Sequence, residues 1–314
     1  MNKISFIIPS YNGEALLKKN LPKVFEVISD FKEKNKIEVE IVVADDGSKD
    51  KSLEVLEAFK ENFKELIIVK NTINKGFSSN VNSAVAKSSG EILILINTDV
   101  IPQKGFLEPL LKHFKDEKVF AVGCLEKSVE NGEIILRGRG LGEWKRGLLI
   151  HRRGEVDKKN TLWVSGGSGA FRKSIWDKIG GLNTLYDPFY WEDIDLSYKA
   201  QKAGYSVLFE PESMVMHEHE KGTIKSGFSK FKVKKTAFRN QFTFVWLNLT
   251  DKDILIKHIL LIPYYKIKAL ISLDFAFFMG LSDAWIRIPK ILAERKKIQK
   301  IFVKKDKEVI KWIQ

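Results

Sequence analysis

Three acidic clusters are the residues of this sequence whose types and spacing best suit chemistry. They are Asp45 and Asp46 in a DDGS run, Asp99 at the end of an NTD run that begins at Asn97, and Glu192, Asp193 and Asp195 in a WEDID run. Carboxylate oxygens bind Mg²⁺ or Mn²⁺, and one or two suffice when substrate phosphates supply further ligands. A carboxylate within hydrogen-bond reach of a hydroxyl can also remove its proton. The clusters therefore predict a metal site and a general base.

Each cluster also has a structural interpretation, which the sequence leaves open. Asn and Asp favour turns, so residues 97–99 can simply close a strand. The DDGS run can cap a helix through Ser48 or Asp50. Acids at a helix start are stabilised by the helix dipole, which suits residues 192–195. In the chemical interpretation, Asp99 anchors the metal and Asp193 is the base, while Glu192 and Asp195 orient it or bind the second substrate.

Two histidines follow near the end of the same region. His217 and His219 alternate, so they share one face if the segment is extended. Imidazole nitrogen is a common metal ligand, but a single hydrogen-bonded histidine is an equally good interpretation. His217 is the stronger candidate of the two.

The elements that must position these side chains are short apolar runs separated by helical segments. The sequence predicts strands at residues 4–8, 39–44, 66–70 and 92–96, and helices at residues 15–31, 53–63 and 78–87. Strands without polar alternation indicate a parallel sheet covered on both faces. Ligands bind such sheets at the carboxyl ends of the strands. Tyr11, Asp45 and Asp99 all follow predicted strands, so we expect them to converge on one crevice.

The second half of the chain is less regular. Residues 123–164 are rich in glycine and charge, which predicts irregular loops and a hairpin. Helices are expected near residues 173–179 and 193–202, and a strand at 207–210 leads into residues 214–219. The fold class is therefore α/β, with a Rossmann-like, mostly parallel sheet flanked by helices.

Composition limits the function classes. A chain of 314 residues can bury a full core, and it fits one large α/β domain with an appended segment. Cys124 is the only cysteine, which excludes an internal disulfide or a zinc finger and suits a reducing compartment. The apolar run before Pro9 is too short for a secretory signal, so we expect a cytoplasmic protein.

The positive charge lies in the last third of the chain. Residues 221–314 hold 21 of the 53 Lys/Arg but only 7 of the 40 Asp/Glu. We therefore divide the chain into a catalytic domain at residues 1–223 and a basic, amphipathic helical region at residues 224–314. The stretch 269–282 is too short to span a bilayer. Lysines beside Phe and Trp predict peripheral contact with an anionic membrane surface on the inner face of the cell membrane. Alternatively, the helices of residues 224–314 cover the catalytic domain or form a homodimer. Nucleic-acid binding is a further possible use of the basic residues, but the sequence contains no recognisable RNA- or DNA-binding module.

In this order, the motifs resemble those of family 2 glycosyltransferases with a GT-A fold. The resemblance covers about residues 3–220 and rests on the IIPSYN, DDGS, NKGF, NTD, SGG and WED runs. It implies a metal site at Asp99 and His217, holding Mg²⁺ or Mn²⁺, and a catalytic pair of Asp193 and Glu192. It implies nucleotide contacts at Pro9, Tyr11, Asp45, Asp46, Lys75, Gly76 and Asn97, and donor or acceptor contacts at Gly166, Gly167, Trp191 and Asp195. Asn97 stands where the commonest family motif has a first aspartate.

The resemblance implies an inverting enzyme that transfers a sugar from a nucleoside-diphosphate sugar to a glycan or a lipid-linked acceptor in cell-surface polysaccharide synthesis. Similarity to the rhamnosyltransferase branch favours a dTDP or UDP sugar over a GDP sugar. The alternatives are a sugar nucleotidyltransferase, which would need a glycine-rich basic phosphate loop near the N-terminus, and a non-catalytic sugar-nucleotide-binding or membrane scaffold protein. The first loop, Pro9 to Gly13, is not of that phosphate-binding type.

Overall fold

A nine-stranded, mostly parallel sheet forms the centre of the protein in a computed structural model that describes residues 1–130, 132–218 and 227–313. The first half of the chain contributes β1 (Lys3–Ser10), β2 (Glu38–Asp45), β3 (Leu66–Lys70), β4 (Ile92–Ile96) and β5 (Val100–Pro102). The second half contributes β6 (Val119–Glu130), β7 (Glu133–Arg137), β10 (Ser168–Arg172) and β11 (Ser206–His217). Along the sheet these strands run in the order β3-β2-β1-β4-β10-β6-β11-β5, with β7 paired to β6. A separate hairpin is formed by β8 (Gly140–Lys145) and β9 (Leu148–Arg153).

The first four strands confirm the predicted parallel sheet. β1 pairs in parallel with both β2 and β4, and β2 pairs in parallel with β3. Ser10 lies opposite Asp45, so the polar residues that follow these strands emerge at one edge. Alternate residues of β1 enter different clusters, with Phe6 and Ile8 on one face and Ile7 on the other. Both faces of the sheet are therefore buried, which explains the unbroken apolar runs.

Helices cover the two faces of the sheet. They are α1 (Glu14–Lys34), α2 (Ser52–Asn62), α3 (Phe77–Val85), α4 (Leu107–Leu111), α5 (Lys173–Ile179) and α6 (Glu192–Lys202). The side chains of α1 and α2 enter one cluster with β1, β2 and β4, and those of α3, α5 and α6 enter the other. This arrangement confirms the α/β class.

The prediction of irregular loops and a hairpin at residues 123–164 is confirmed in part. β8 and β9 form the hairpin and residues 154–164 are irregular, but β6 and β7 are further strands that were not predicted. β6 lies between β10 and β11, antiparallel to the first and parallel to the second. Neighbouring strands, rather than local sequence, stabilise it.

The C-terminal helices form a third layer. They are α7 (Lys230–Asn248), α8 (Lys252–Ile271), α9 (Phe275–Ile286), α10 (Ile288–Ile298) and α11 (Asp306–Ile313). Their apolar side chains share one cluster with Leu149 of β9 and with Ile194 and Tyr198 of α6. Helix α6 therefore lies between the sheet and the C-terminal helices. His219 and the proposed domain boundary at 223/224 lie outside the described residues. Over the described ranges, none of the helices combines the length and the apolar character that crossing a bilayer requires.

Candidate active site

A cavity of about 360 Å³ lies at the carboxyl ends of β1, β2 and β4. The predicted convergence of the strand-end residues at this edge is therefore seen in the structure. A neighbouring cavity of about 800 Å³ shares Tyr11, Asn74, Pro188 and Phe228 with the first, so the two form one crevice. The first cavity is lined by Pro9, Ser10, Tyr11, Asp46, Asn74, Gly76, Phe77, Asn80, Asn97, Thr98, Asp99, Pro188, Phe189, Tyr190, His217 and Phe228.

The two aspartates after β2 have different positions. Asp46 lines the cavity, and its carboxylate accepts hydrogen bonds from the backbone N–H groups of Lys75 at 3.0 Å and Gly76 at 2.9 Å. Burial raises the pKa of Asp46, although these hydrogen bonds oppose the shift. Asp45 does not line the cavity, and its Oδ2 accepts the Ser48 N–H at 2.9 Å. Of the two aspartates expected to contact a nucleotide, Asp46 therefore lines the cavity, whereas Asp45 closes the turn behind it.

Lys75 and Gly76 contribute backbone rather than side-chain atoms. The Lys75 side chain is exposed and outside the cavity lining, so only its backbone N–H serves Asp46. Gly76 has φ +100°, and a Cβ there would lie 2.7 Å from Asp187 Oδ1. Only glycine fits this close approach without strain.

Asp99 and His217 form a pair at the cavity wall. Asp99 Oδ2 lies 3.4 Å from His217 Nε2, while His217 Nδ1 lies 3.3 Å from Glu126 Oε2. Burial lowers the pKa of His217, but Asp99 and Glu126 outweigh it and raise the pKa to about 9. A metal ion would compete with that proton for the imidazole nitrogen. Glu126 orients the ring from behind, as carboxylates commonly do for metal-binding histidines.

These residues fit a divalent cation that is shared with a phosphate-bearing ligand. In the described part of the chain, no group of three or more His, Cys, Asp or Glu side chains could hold a metal by itself. Asp99 and His217 offer one oxygen and one nitrogen, and the buried Asn97 Oδ1 has no hydrogen-bond partner within the described structure. Mg²⁺ and Mn²⁺ keep several ligands from water or phosphate, so a sparse protein set is sufficient.

The two glycines before β10, Gly166 and Gly167, lie beside Asp193 and Asn97. A Cβ on Gly167 would lie 2.4 Å from Asn97 Nδ2, and the Asn97 N–H donates to Gly167 O at 2.9 Å. A Cβ on Gly166 would lie 3.2 Å from the Phe77 ring and 3.6 Å from Asp193 Cβ. The glycines therefore let Asn97, which follows β4, and Asp193 of α6 approach the same turn.

Asp193 and Glu192 begin helix α6 and differ in environment. Burial raises the pKa of Asp193 to about 6, while backbone N–H groups, including those of Ile194 and Gly166, limit the rise. Burial, followed by the charge of Asp193, raises the pKa of Glu192 well above its usual range. Glu192 Oε2 is buried and has no hydrogen-bond partner in the described structure. At neutral pH, Asp193 is the ionised member of the pair, which is the state that a general base requires.

The structure does not bring Trp191 or Asp195 to the cavity, which corrects their expected donor or acceptor contacts. Trp191 is 6% exposed, and its ring packs against those of His151 and Phe244. Asp195 is fully buried and accepts hydrogen bonds from Tyr186 Oη at 2.8 Å and Asn248 Nδ2 at 2.6 Å. Its helical position turns it one face away from Asp193, toward the C-terminal helices.

Helix α7 holds the segment that forms one wall of the cavity. Asn240 Nδ2 lies within hydrogen-bond distance of three backbone oxygens, those of Tyr186 at 2.8 Å, Phe189 at 2.9 Å and Tyr190 at 2.8 Å. Arg239 Nη2 donates to Tyr186 O at 3.1 Å and Asp187 O at 2.6 Å. Sequence reasoning missed this wall and its support, since nothing in the α7 sequence indicates which loop it contacts. It also missed Phe77, Asn80 and Glu126, although the polar Asn80 near the NKGF run was a usable signal.

A sheet of this topology, with acidic residues and a candidate metal pair at its carboxyl edge, is that of the GT-A fold. The chain belongs to glycosyl transferase family 2, whose profile matches residues 5–180. Asp46, Asn97 and Asp99 lie within the matched range, whereas Asp193 and His217 lie beyond it.

Curated relatives agree with this assignment, and a solved structure agrees with the fold. The chain is 26% identical over 220 residues to the probable glycosyltransferase YdaM of Bacillus subtilis, covering 69% of this chain and 50% of the relative. It is 24% identical over 222 residues to the O-antigen chain rhamnosyltransferase RfbN of Salmonella typhimurium, covering 69% of this chain and 67% of the relative. The chain therefore spans half the length of the first relative. The crystal structure of GalNAc-T7 with UDP, GalNAc and Mn²⁺ has a TM-score of 0.62 at 20% identity, covering 79% of this chain and 48% of that one, and supports the fold.

Proposed function

We propose that this protein is an inverting glycosyltransferase that moves a sugar from UDP or dTDP to a hydroxyl group of a glycan or a lipid-linked acceptor in cell-surface polysaccharide synthesis. The observation that carries the proposal is the Gly166-Gly167 turn. Asn97 of the run that ends in Asp99 packs on Gly167, and Asp193 packs on Gly166. The run that ends in Asp99 and the candidate base Asp193 therefore lie on either side of one turn, and transfer from a nucleoside-diphosphate sugar requires a metal site and a base close together.

The nucleotide half of the crevice is formed by the strands β1 and β2. Tyr11 and Pro9 offer an apolar surface for the base, and Asp46 offers a carboxylate for a pyrimidine N–H or a ribose hydroxyl. Asp46 is already held by two backbone N–H groups, so it is oriented before a ligand arrives. The GalNAc-T7 structure, solved with UDP, supports a UDP sugar, and the O-antigen chain rhamnosyltransferase relative supports a role in polysaccharide synthesis.

Asp99 and His217 would hold Mg²⁺ or Mn²⁺ together with the diphosphate of the donor. When bound, the cation supplies positive charge beside the leaving group, whose negative charge grows in the transition state. The Mn²⁺ in the GalNAc-T7 structure supports this cofactor. Asn97, whose Oδ1 is buried and faces no donor in the described structure, completes the polar edge beside Asp99.

Asp193 performs the proton transfer. Its carboxylate accepts the proton of the acceptor hydroxyl while that oxygen bonds to the anomeric carbon, and the bond from the same carbon to the diphosphate oxygen breaks. Attack opposite the leaving group inverts the configuration. Because the pKa of Asp193 is about 6, the carboxylate is ionised at neutral pH yet remains more basic than an ordinary aspartate. The raised pKa of Glu192 keeps that side chain neutral, so it does not repel the base.

Two substitutions test the assignment. Asp193→Asn keeps the shape of the side chain and removes the base, so transfer should fall by about 10²-fold or more while Mn²⁺-dependent UDP binding, measured by calorimetry, stays near that of the wild type. Asp99→Ala should instead weaken Mn²⁺-dependent UDP binding. Asp177→Asn on the exposed side of α5 is the matched control, since its carboxylate lies at the surface and pairs with Lys173 in the described structure. Wild-type turnover by Asp193→Asn would refute the base assignment.

A thermal-shift screen of UDP, dTDP and GDP with Mn²⁺ identifies the nucleotide, because a ligand that binds only the native state raises its apparent stability. A non-catalytic sugar-nucleotide binder is the competing function. It would show the same shift but no hydrolysis of any sugar nucleotide, even without an acceptor.

A further inference from the structure

Helix α8 carries an apolar stripe that faces away from the protein. Its buried positions include Ile254, His258 and Ala269, which point toward the third layer. The outward positions recur at intervals of three or four residues, which places them on one helical face. These exposed residues are Ile256, Ile259, Leu260, Ile267, Leu270 and Ile271.

The stripe ends at the turn between α8 and α9, which we call the apolar corner (residues 270–275). Ile271 is 80% exposed, Leu273 is 71% exposed and Phe275 is 66% exposed. Ile286, at the far end of α9, is also exposed, at 76%. Single exposed apolar residues are normal, but a continuous patch of this kind marks an interaction surface.

The charge around the corner is positive. Residues 254–273 contain no Asp or Glu, while Lys257 and Lys268 are exposed and form no ion pair within the described structure. The acidic residues on either side are neutralised, since Asp253 pairs with Lys307 at 2.8 Å and Asp274 pairs with Lys234 at 2.7 Å. Asp283 on α9 is likewise paired, with Lys235 at 2.8 Å.

We propose that α8 and the apolar corner bind the surface of an anionic lipid bilayer, with Ile271, Leu273 and Phe275 among the acyl chains and Lys257 and Lys268 at the headgroups. The two kinds of side chain match the two layers that an interfacial element meets. The proposal concerns a surface separate from the crevice and does not rest on the proposed glycosyl transfer. If the acceptor is lipid-linked, however, the same surface brings the enzyme to its substrate.

Other occupants fit this surface less well. A second copy of the chain docked through the same patch would bring identical lysines together across a two-fold axis. A nucleic acid would bind the lysines but would leave the aliphatic side chains of the corner in water. A bilayer alone accommodates both the aliphatic corner and the positive charge.

Flotation with lipid vesicles tests the proposal on the full chain. Vesicles contain either phosphatidylcholine alone or equal parts of phosphatidylcholine and phosphatidylglycerol. We expect the wild type to float with the mixed vesicles, and Ile271→Ser/Leu273→Ser to bind them at least tenfold more weakly. Val129→Ser/Ile134→Ser is the matched control, because these residues are 56% and 60% exposed on the β6–β7 hairpin.

The charge is tested separately with Lys257→Glu/Lys268→Glu, which should lose binding to the mixed vesicles. Added salt should likewise weaken the binding of the wild type to these vesicles. Melting curves check that the variants are folded, which the exposure of every substituted residue favours. The proposal is overturned if the wild type does not float or if the corner variant floats as well as the wild type. It is equally overturned if sedimentation shows a dimer that the corner variant dissociates while vesicle binding is absent.

Discussion

Replacing Asn240 with alanine tests whether helix α7 maintains the wall of the crevice. Asn240 is fully buried, and its amide serves the backbone oxygens of Tyr186, Phe189 and Tyr190. The supported segment is conformationally costly, since Tyr190 has φ +73° and Trp191 has φ +78°. A left-handed conformation costs roughly 1–2 kcal/mol for each non-glycine residue. The segment therefore depends on external hydrogen bonds to keep its shape.

The size of the effect follows from the groups left unpaired. In Asn240→Ala, Tyr186 O still accepts from Arg239, but Phe189 O and Tyr190 O lose the Asn240 donor. An unsatisfied buried carbonyl costs about 1–3 kcal/mol, and two of them set the expected loss in unfolding free energy at about 2–6 kcal/mol. If the segment relaxes instead, the loss in stability is smaller, but the left-handed residues move and the cavity wall changes shape. This second outcome weakens nucleotide binding and transfer.

Urea denaturation, UDP calorimetry and transfer rates measured on the same preparations separate these outcomes. Gln241→Ala is the control on the same helix, because Gln241 Nε2 makes one hydrogen bond, to Leu149 O at 3.2 Å, and none to the wall within the described structure. We expect the control to bind UDP like the wild type. The reasoning is refuted if Asn240→Ala retains the stability, the UDP affinity and the transfer rate of the wild type.

Three further outcomes are expected. The transfer rate of the wild type should rise as the pH increases through about 6, because burial raises the pKa of Asp193 to that value and only the ionised form is a base; a rate that is flat from pH 5 to 8 would contradict this. Gly167→Ala places a Cβ 2.4 Å from Asn97 Nδ2, so it should lower transfer and metal-dependent UDP binding while the melting temperature changes little; unchanged UDP affinity would contradict it. Asp306→Ala leaves the ammonium of Lys202 buried without its partner at 2.9 Å, which should cost about 3–5 kcal/mol in urea denaturation. Burial alone would raise the pKa of Asp306, but the charge of Lys202 and the hydrogen bonds to Asp306 outweigh burial and lower this pKa. The contribution of Asp306 to the free energy of unfolding is therefore present above pH ~3.9 and is lost as the pH falls through the folded pKa.

The first half of the fold could be predicted because its local and tertiary signals agree. The run that becomes β4 is apolar at every position, and those that become β1 and β2 are apolar without regular polar alternation, a pattern typical of a sheet with both faces covered. The ends of these runs therefore indicate from the sequence alone that Asp46, Asn97 and Asp99 lie near one another. The sequence did not predict the structure at positions where contacts with a distant part of the chain determine it. β6 is a strand because β10 and β11 flank it.

The acidic run at α6 shows the same limit within the site. Spacing alone cannot separate Asp193 from Asp195, since both lie in the first turn of one helix. In the structure the two aspartates differ through contacts with other parts of the chain. Asn248 and Tyr186 donate hydrogen bonds to Asp195, whereas Asp193 lies beside the Gly166 turn. Likewise, the sequence contains two adjacent aspartates after β2, and only the conformation of the turn determines that Asp46 rather than Asp45 reaches the cavity.

The contact between Asp306 and Lys202 has a consequence for the synthesis of the protein on the ribosome. Lys202 ends the helix that Glu192 and Asp193 begin, and its charge partner is added more than a hundred residues later. The strands of the sheet emerge early, whereas Lys202, at the end of the helix that carries Asp193, lacks its buried counter-charge until α11 has emerged. We therefore expect nascent or truncated chains that stop before residue 306 to form the sheet but to lack a fixed base, so that activity appears late in translation.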